Sequence, residues 1–328
     1  MTMLGAAAWP LAGWAQTSTP GAGVGRAKAS LVGFLNAASP ITYRFNADAF
    51  REGLAQAGFV EGRNVQIEER WANGDYNALP ALAKELVARG VDVIAATDDV
   101  AAARAAQGAS ATVPIVFTIG GDPVKFRLVE SFGRPGGNLT GVAFTPNQLG
   151  AKRLQLLKQM LPNVTRVGML MNPDNPNVAA EIADSNDGAT RLGLQLVFEN
   201  ARGPGDIERA FAELMRAKVH AVVSGTDPML LDRRDQIGQL ATRNAVPSIS
   251  FTRQLAMAGL LMSYGPDIGW MYRQAGGYCG QILNGAKPAT LPVIQSVRFE
   301  LVLNMKTARR LGVTVPPSFL ALVDETIE

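Results

Sequence analysis

Histidine and cysteine are almost missing, with one of each among 328 residues. A lone Cys279 excludes an internal disulfide and any cysteine-built zinc cluster. A lone His220 excludes a multi-histidine metal site, and its place in the chain is not that expected of a catalytic triad. Both are assigned structural roles: Cys279 on the apolar face of a helix, His220 at the start of an apolar run. Charge is sparse, at 18% of residues with a net +3, and Lys and Arg are scattered among Asp and Glu. No basic stripe therefore marks a nucleic-acid partner. A stretch long and apolar enough to span a membrane is also wanting. "MTMLGAAAWPLAGWA" carries no charged side chain but is short and is broken by Pro10. It reads as the apolar part of an export signal over 1–15, truncated at its N-terminus because the usual basic segment is absent, with cleavage after Ala15. No cysteine follows it, so a lipid anchor is not expected and a soluble periplasmic protein is. Residues 16–28, rich in Thr, Ser, Gly and Pro, form a linker.

The motifs of enzyme chemistry are wanting too. There is no G-x-S-x-G elbow and no G-x-x-x-x-G-K-[ST] loop, and the first strand ends in "GFLNAASP" where a dinucleotide turn needs G-x-G-x-x-G. "GRPGGN" (133–138) precedes a strand and opens no helix, so it is a tight turn and not a phosphate cradle. Asp98 and Asp99 are adjacent and point different ways, a poor start for acid/base work. No catalytic residue, metal or cofactor is expected.

What is present is a chain written twice. Apolar runs of five or six residues alternate with helical patterns, which predicts an α/β fold with parallel sheets covered on both faces. "LVGFLNAASP" (31–40) returns as "RVGMLMNPDNP" (166–176). "NVQIEERWANGDYNALPALAKELVARGVDVIAATDD" (64–99) returns as "GLQLVFENARGPGDIERAFAELMRAKVHAVVSGTDP" (193–228), and "TVPIVFT" (112–118) as "AVPSISFT" (245–252). A period of about 130 residues suits two homologous lobes and not a solenoid. The repeated Asp75 and Asp206 are read as helix N-caps.

Open α/β sheets bind ligands beyond the carboxyl ends of their strands. Polar residues repeat there in both halves: Asn36 and Ser39, Thr97 and Asp98, Thr118, Gly120 and Asp122 in the first, and Asn172, Asn175, Thr226, Asp227 and Ser250 in the second. A zwitterionic amino acid needs a carboxylate for its ammonium, hydroxyl or N–H donors for its carboxylate, and apolar walls. Asp98, Asp227 and Asp267 are candidates for the first task, and Ser39, Thr97, Thr118, Thr226 and Ser250 for the second. Tyr43, Phe251 and Tyr264 are candidates for the walls. Asp267, behind the Gly265-Pro266 turn, is the more natural helix cap.

Several stretches resemble a known family: "AFREGLAQAGFVEGRNVQIEERWANGDYNALPALAKELV", "VPIVFTIGGDPVKFRLVESFGRPGGNLTGV", "AKRLQLLKQMLP", "SYGPDIGWMYRQAGGYCGQILNGAKPATLPV" and "FELVLNMKTARRLGVTVPPSFLALVDETIE". They are similar to the ABC-transporter substrate-binding family that includes tryptophan- and tyrosine-binding proteins, over nearly all of residues 29–328. The resemblance implies a type I periplasmic-binding-protein fold. Two doubly wound lobes are joined by three crossings, expected near 143–147, 251–255 and 288–297. Lobe 1 then holds 29–144 plus 254–289, and lobe 2 holds 145–253 plus 290–328. It also implies a monomer that closes on a small ligand, with an amino acid and above all an aromatic one expected, and delivers it to an ABC permease and its ATPase. Only contacts made by both lobes at once drive closure, which singles out Ser39 and Thr118 in lobe 1 with Asp227 and Ser250 in lobe 2. The alternatives are a receptor of the same fold that feeds a signalling partner, a regulator that would need a DNA-binding head, and an enzyme on a two-lobe frame.

Overall fold

A computed structural model describes residues 29–144 and 149–328. The expected export signal, the linker and most of the first expected crossing lie outside them. The first half of the chain runs β1 (Ser30–Asn36), α1 (Pro40–Gln56), β2 (Val65–Trp71), α2 (Leu79–Ala88), β3 (Val93–Thr97), α3 (Val100–Ala109), β4 (Ile115–Gly120) and β5 (Leu139–Phe144). After α4 (Leu149–Met160) the pattern repeats as β6 (Arg166–Met171), α5 (Val178–Leu192), β7 (Gln195–Asn200), α6 (Pro204–Arg216) and β8 (Ala221–Ser224). It continues through α7 (Pro228–Asp232), α8 (Arg234–Arg243), β9 (Ser248–Ser250), α9 (Arg253–Met257) and β10 (Met262–Pro266). The chain ends with α10 (Ile268–Leu283), β11 (Ile294–Gln295), β12 (Phe299–Asn304), α11 (Met305–Arg310), α12 (Pro317–Leu320) and β13 (Glu325–Ile327).

The duplication read in the sequence is a duplication of sheets. The first has the order β11-β5-β4-β3-β1-β2 and the second β13-β12-β10-β9-β8-β6-β7. Both contain the same run of five parallel strands, each ending toward the other sheet. β3 and β8 are buried along their whole length, as expected of apolar strands with helices on both faces. The first sheet packs Phe34 against Phe50 of α1 and Tyr272 of α10 on one face. On the other face it packs Phe117 against Leu86 of α2 and Ala102 of α3. The second sheet sets Met169 against Leu154 and Leu157 of α4 on one face and Val222 against Phe211 and Leu214 of α6 on the other. We call each sheet with its helices a lobe.

The helix ends follow local chemistry. Ser39 caps α1, with Pro40 preset at the first helical position, and Asp267 caps α10 through the Trp270 N–H at 2.9 Å. Asp75 caps the short turn at Tyr76–Ala78. Asp206 is not a cap: it sits inside the first turn of α6, whose cap is Gly203, and its carboxylate reaches back to the Arg202 N–H at 3.0 Å. Cys279 is buried in the core, and the His220 ring accepts a hydrogen bond from the Thr165 N–H at 3.2 Å. Helices α1 and α10 meet backbone to backbone: a Cβ on Gly53 would lie 1.9 Å from the Arg273 carbonyl oxygen, and one on Gly276 2.1 Å from that of Phe50. The tail of lobe 1 is clamped there by two residues without side chains.

Two expectations change. β10 pairs with β9 and β12 in the second sheet, so the second crossing lies at Pro266–Ile268 and not at 251–255, and 254–266 does not join lobe 1. α10, which follows, does return to lobe 1. The third crossing lies between Gln295, in the first sheet, and Phe299, in the second. β12 therefore enters the second sheet from its carboxyl edge and runs antiparallel to β10, so that sheet is mixed where only parallel strands were expected.

Candidate functional site

The carboxyl ends of the two sheets face each other, and the loops there touch across the gap. The Ser39 hydroxyl and N–H both donate to Asp232, at 3.0 and 3.4 Å, and Arg234 donates to the Thr42 hydroxyl at 2.9 Å. At the other end of the seam the Tyr76 hydroxyl donates to Asp227 at 2.9 Å, and Asn175 reaches Asp99 at 3.4 Å. These pairs join lobe 1 to lobe 2, so the cleft is closed.

Asp98 is the most unusual residue in the cleft. It follows β3 with φ at +86°, a conformation that L-residues other than Asn and Asp seldom adopt. The Thr118 hydroxyl holds it there by accepting its N–H at 2.9 Å. The hydroxyl of Tyr43 bonds to its carboxylate, while Oδ2 is buried without a partner among the described residues. Burial pushes the Asp98 carboxyl well above its usual range, with the charges of Asp99, Asp232 and Asp227 adding to that push against the Tyr43 bond. Burial likewise lifts Asp99 to about 7 and raises Asp227. Four carboxylates from the two lobes thus converge on one region, a field that favours a cationic group.

On the lobe 2 side, Arg153 enters from α4 and is fully buried. Its Nε donates to the Tyr264 carbonyl at 2.9 Å, and one terminal nitrogen donates to Glu181 at 2.9 Å and to the Thr226 hydroxyl at 3.1 Å. The guanidinium therefore lies across the ends of β8 and β10. Its second terminal nitrogen has no partner among the described residues. Glu181 also accepts the Thr226 N–H and hydroxyl, which fixes the loop after β8.

The structure sorts the sequence candidates. Asp98, Ser39, Asp227 and Asn175 are brought to the seam between the lobes. Asp227 is fully engaged: Oδ1 accepts the Leu230 N–H as the cap of α7, while Oδ2 accepts Tyr76, Asn172 at 3.1 Å and Asn175 at 2.9 Å. Thr226 belongs to the Arg153–Glu181 group. Asn36, Thr97, Tyr43 and Thr118 form the layer beneath Asp98: Asn36 donates to Thr97 and to the Tyr272 hydroxyl, both at 2.9 Å, and its carbonyl oxygen holds the Ala38 N–H. Ser250 and Phe251 are buried in lobe 2, the serine hydroxyl bonded to the Thr252 carbonyl. Gly120 leaves room for the Phe144 ring, Asp122 caps the turn at Val124, and Asp267 caps α10. Tyr264 stacks on Phe299 with ring centroids 6.1 Å apart, beside the third crossing.

Five residues in this arrangement were not among the candidates: Tyr76, Asp99, Arg153, Glu181 and Asp232. Arg153 did leave a trace, because it falls on the same helical stripe as Leu149 and Leu157, where a charge is out of place. Among the described residues, no group of His, Cys, Asp and Glu is placed to hold a metal ion, and no helix is long and apolar enough to cross a membrane.

The sequence and the fold have relatives over most of the chain. A protein of Clostridioides difficile (strain R20291) named tyrosine-binding protein is 26% identical over 263 residues, covering 80% of this chain and 75% of its own. A conserved domain protein of Vibrio cholerae O1 biovar El Tor superposes with a TM-score of 0.84 at 26% identity, covering 91% of this chain and all of its own. The ABC domain of a Streptococcus pneumonia protein, solved in complex with L-Trp, gives 0.83 at 26% identity over 92% of this chain and 100% of that one. The architecture is that of the type I periplasmic binding proteins. The profile of the family described as ABC transporter substrate binding protein covers residues 43–327, both lobes and the crossings described between them, and the chain belongs to that family.

Proposed function

We propose that this protein is the exported, periplasmic binding component of an ABC importer, and that it closes on an α-amino acid and delivers it to a membrane permease. One observation carries the amino-acid reading: among the described residues, lobe 1 offers a buried, unpartnered carboxylate oxygen of Asp98 and lobe 2 a buried, unpartnered guanidinium nitrogen of Arg153. A ligand with an ammonium and a carboxylate answers both with opposite charge, whereas a neutral polyol offers them hydrogen bonds alone. Because the two groups belong to different lobes, the ligand favours the closed state. An aromatic side chain is the first to test, since two relatives at 26% identity are named for tyrosine or carry L-Trp. A thermal-shift screen of amino acids, sugars and polyols is expected to raise the melting temperature with amino acids alone. A shift with sugars and none with amino acids would overturn the reading.

The carboxylate cluster also sets a pH dependence. Asp99 titrates near 7, raised chiefly by burial and further by Asp227, against bonds from the Ala101 N–H and Tyr76. An acid with a raised folded pKa adds stability below its unfolded pKa, and that contribution is lost as pH rises through the folded one. Without a cation this contribution to folding stability is therefore fully present below about pH 4 and lost as the pH rises through about 7. An incoming ammonium favours the ionised carboxylates, so binding displaces protons. Affinity should rise between pH 5.5 and 7.5, by at most about tenfold per unit, and the calorimetric enthalpy should vary with the ionisation heat of the buffer. A flat affinity profile would show that the cluster does not meet the ammonium.

A further inference from the structure

Outside the cleft, against the third crossing, lies a cavity of about 720 Å³, within the range of small-molecule sites. Lys152 comes from α4 and Arg191 from the last turn of α5, Tyr264 and Phe299 come from β10 and β12, and Ser296 from the crossing itself. None of the residues lining it is an Asp or a Glu.

Three features give this cavity a chemistry of its own. Its cations lack counter-charges: Lys152 contacts the Gln155 amide oxygen at 3.4 Å, and neither it nor Arg191 forms an ion pair among the described residues. Its apolar wall is flat, because the Tyr264 and Phe299 rings stack at 23°. Its floor carries a hydroxyl without a partner among the described residues: Ser296 is only 3% exposed, its N–H is fixed on the Ala143 carbonyl at 2.8 Å, and its Oγ is unpaired there. A buried polar group of that kind is rare unless something else completes it.

We infer that this cavity is a second small-molecule site, and that it takes a planar aryl carboxylate lacking an ammonium group. The carboxylate meets Lys152 and Arg191, the ring lies along Tyr264 and Phe299, and the Ser296 hydroxyl donates to a carboxylate oxygen. A zwitterion is disfavoured because no lining carboxylate answers its ammonium. The inference does not rest on the amino-acid reading of the cleft.

Phenylacetate is the probe, titrated calorimetrically into the full chain. Wild type is expected to bind it, Lys152→Glu with Arg191→Glu to bind at least about tenfold more weakly, and Arg153→Met with Glu181→Leu, which removes the cleft's carboxylate partner, to bind it as wild type does. If the charge reversal unfolds the protein, Lys152→Met with Arg191→Met gives the same reading. No binding to wild type, or equal affinity in the charge variants, would overturn the site. Loss of phenylacetate binding in Arg153→Met with Glu181→Leu would overturn it too, by placing the carboxylate in the cleft.

Discussion

Asp98→Asn is expected to weaken binding of the amino-acid ligand by two orders of magnitude or more, about 3 kcal/mol, while the protein stays folded. The size follows from burial: an ammonium brought beside Asp98 Oδ2 loses its water and needs a full opposite charge in return. The fold survives because asparagine tolerates the +86° φ at this position and keeps the N–H that bonds to Thr118. Stability should even rise slightly, since a buried carboxylate surrounded by Asp99, Asp232 and Asp227 is removed. Calorimetry of the purified variant is the check, and an affinity equal to wild type would remove Asp98 from the site.

Arg153→Ala has the largest expected effect on stability. Glu181, 9% exposed, would be left buried without its cation, and breaking one side of such a pair costs about 3–5 kcal/mol. The Thr226 loop and the Tyr264 carbonyl lose donors at the same time. A fall in melting temperature of about 5–15 °C is the expected reading. The double change Arg153→Met with Glu181→Leu separates structure from recognition. It should regain most of the stability, because an apolar pair of similar volume replaces the buried ions, yet it should still bind no amino acid. A double variant that binds normally would show that Arg153 serves the fold alone.

The architecture was legible because the chain repeats: matching apolar runs at one offset imposed the same strand order on both sheets. The crossings were less legible. "LLMSYGP" is an apolar strand that either sheet could accept, and nothing in its period says that it pairs with Ile249 rather than joining lobe 1. The strand ends were found as a class, but the use of each side chain was not. Asn36, Thr118 and Ser250 look like ligand donors in sequence, and each is bonded within its own lobe. Whether a polar group at a strand end is free depends on partners far along the chain, as with Tyr272 for Asn36, 236 residues away. Tyr76 and Asp232 were missed for the same reason: their partners lie in the other lobe, and only closure brings them together.

The central claim, that both lobes close on a zwitterion, is tested most directly by calorimetric titration of L-tryptophan against L-tryptophan methyl ester. The ester keeps the ring and the ammonium and loses the negative charge that Arg153 would meet. The account predicts one cleft site for an aromatic or other α-amino acid and binding of its ester weaker by about 100-fold. Equal affinity for acid and ester, or no binding by any α-amino acid, would contradict it.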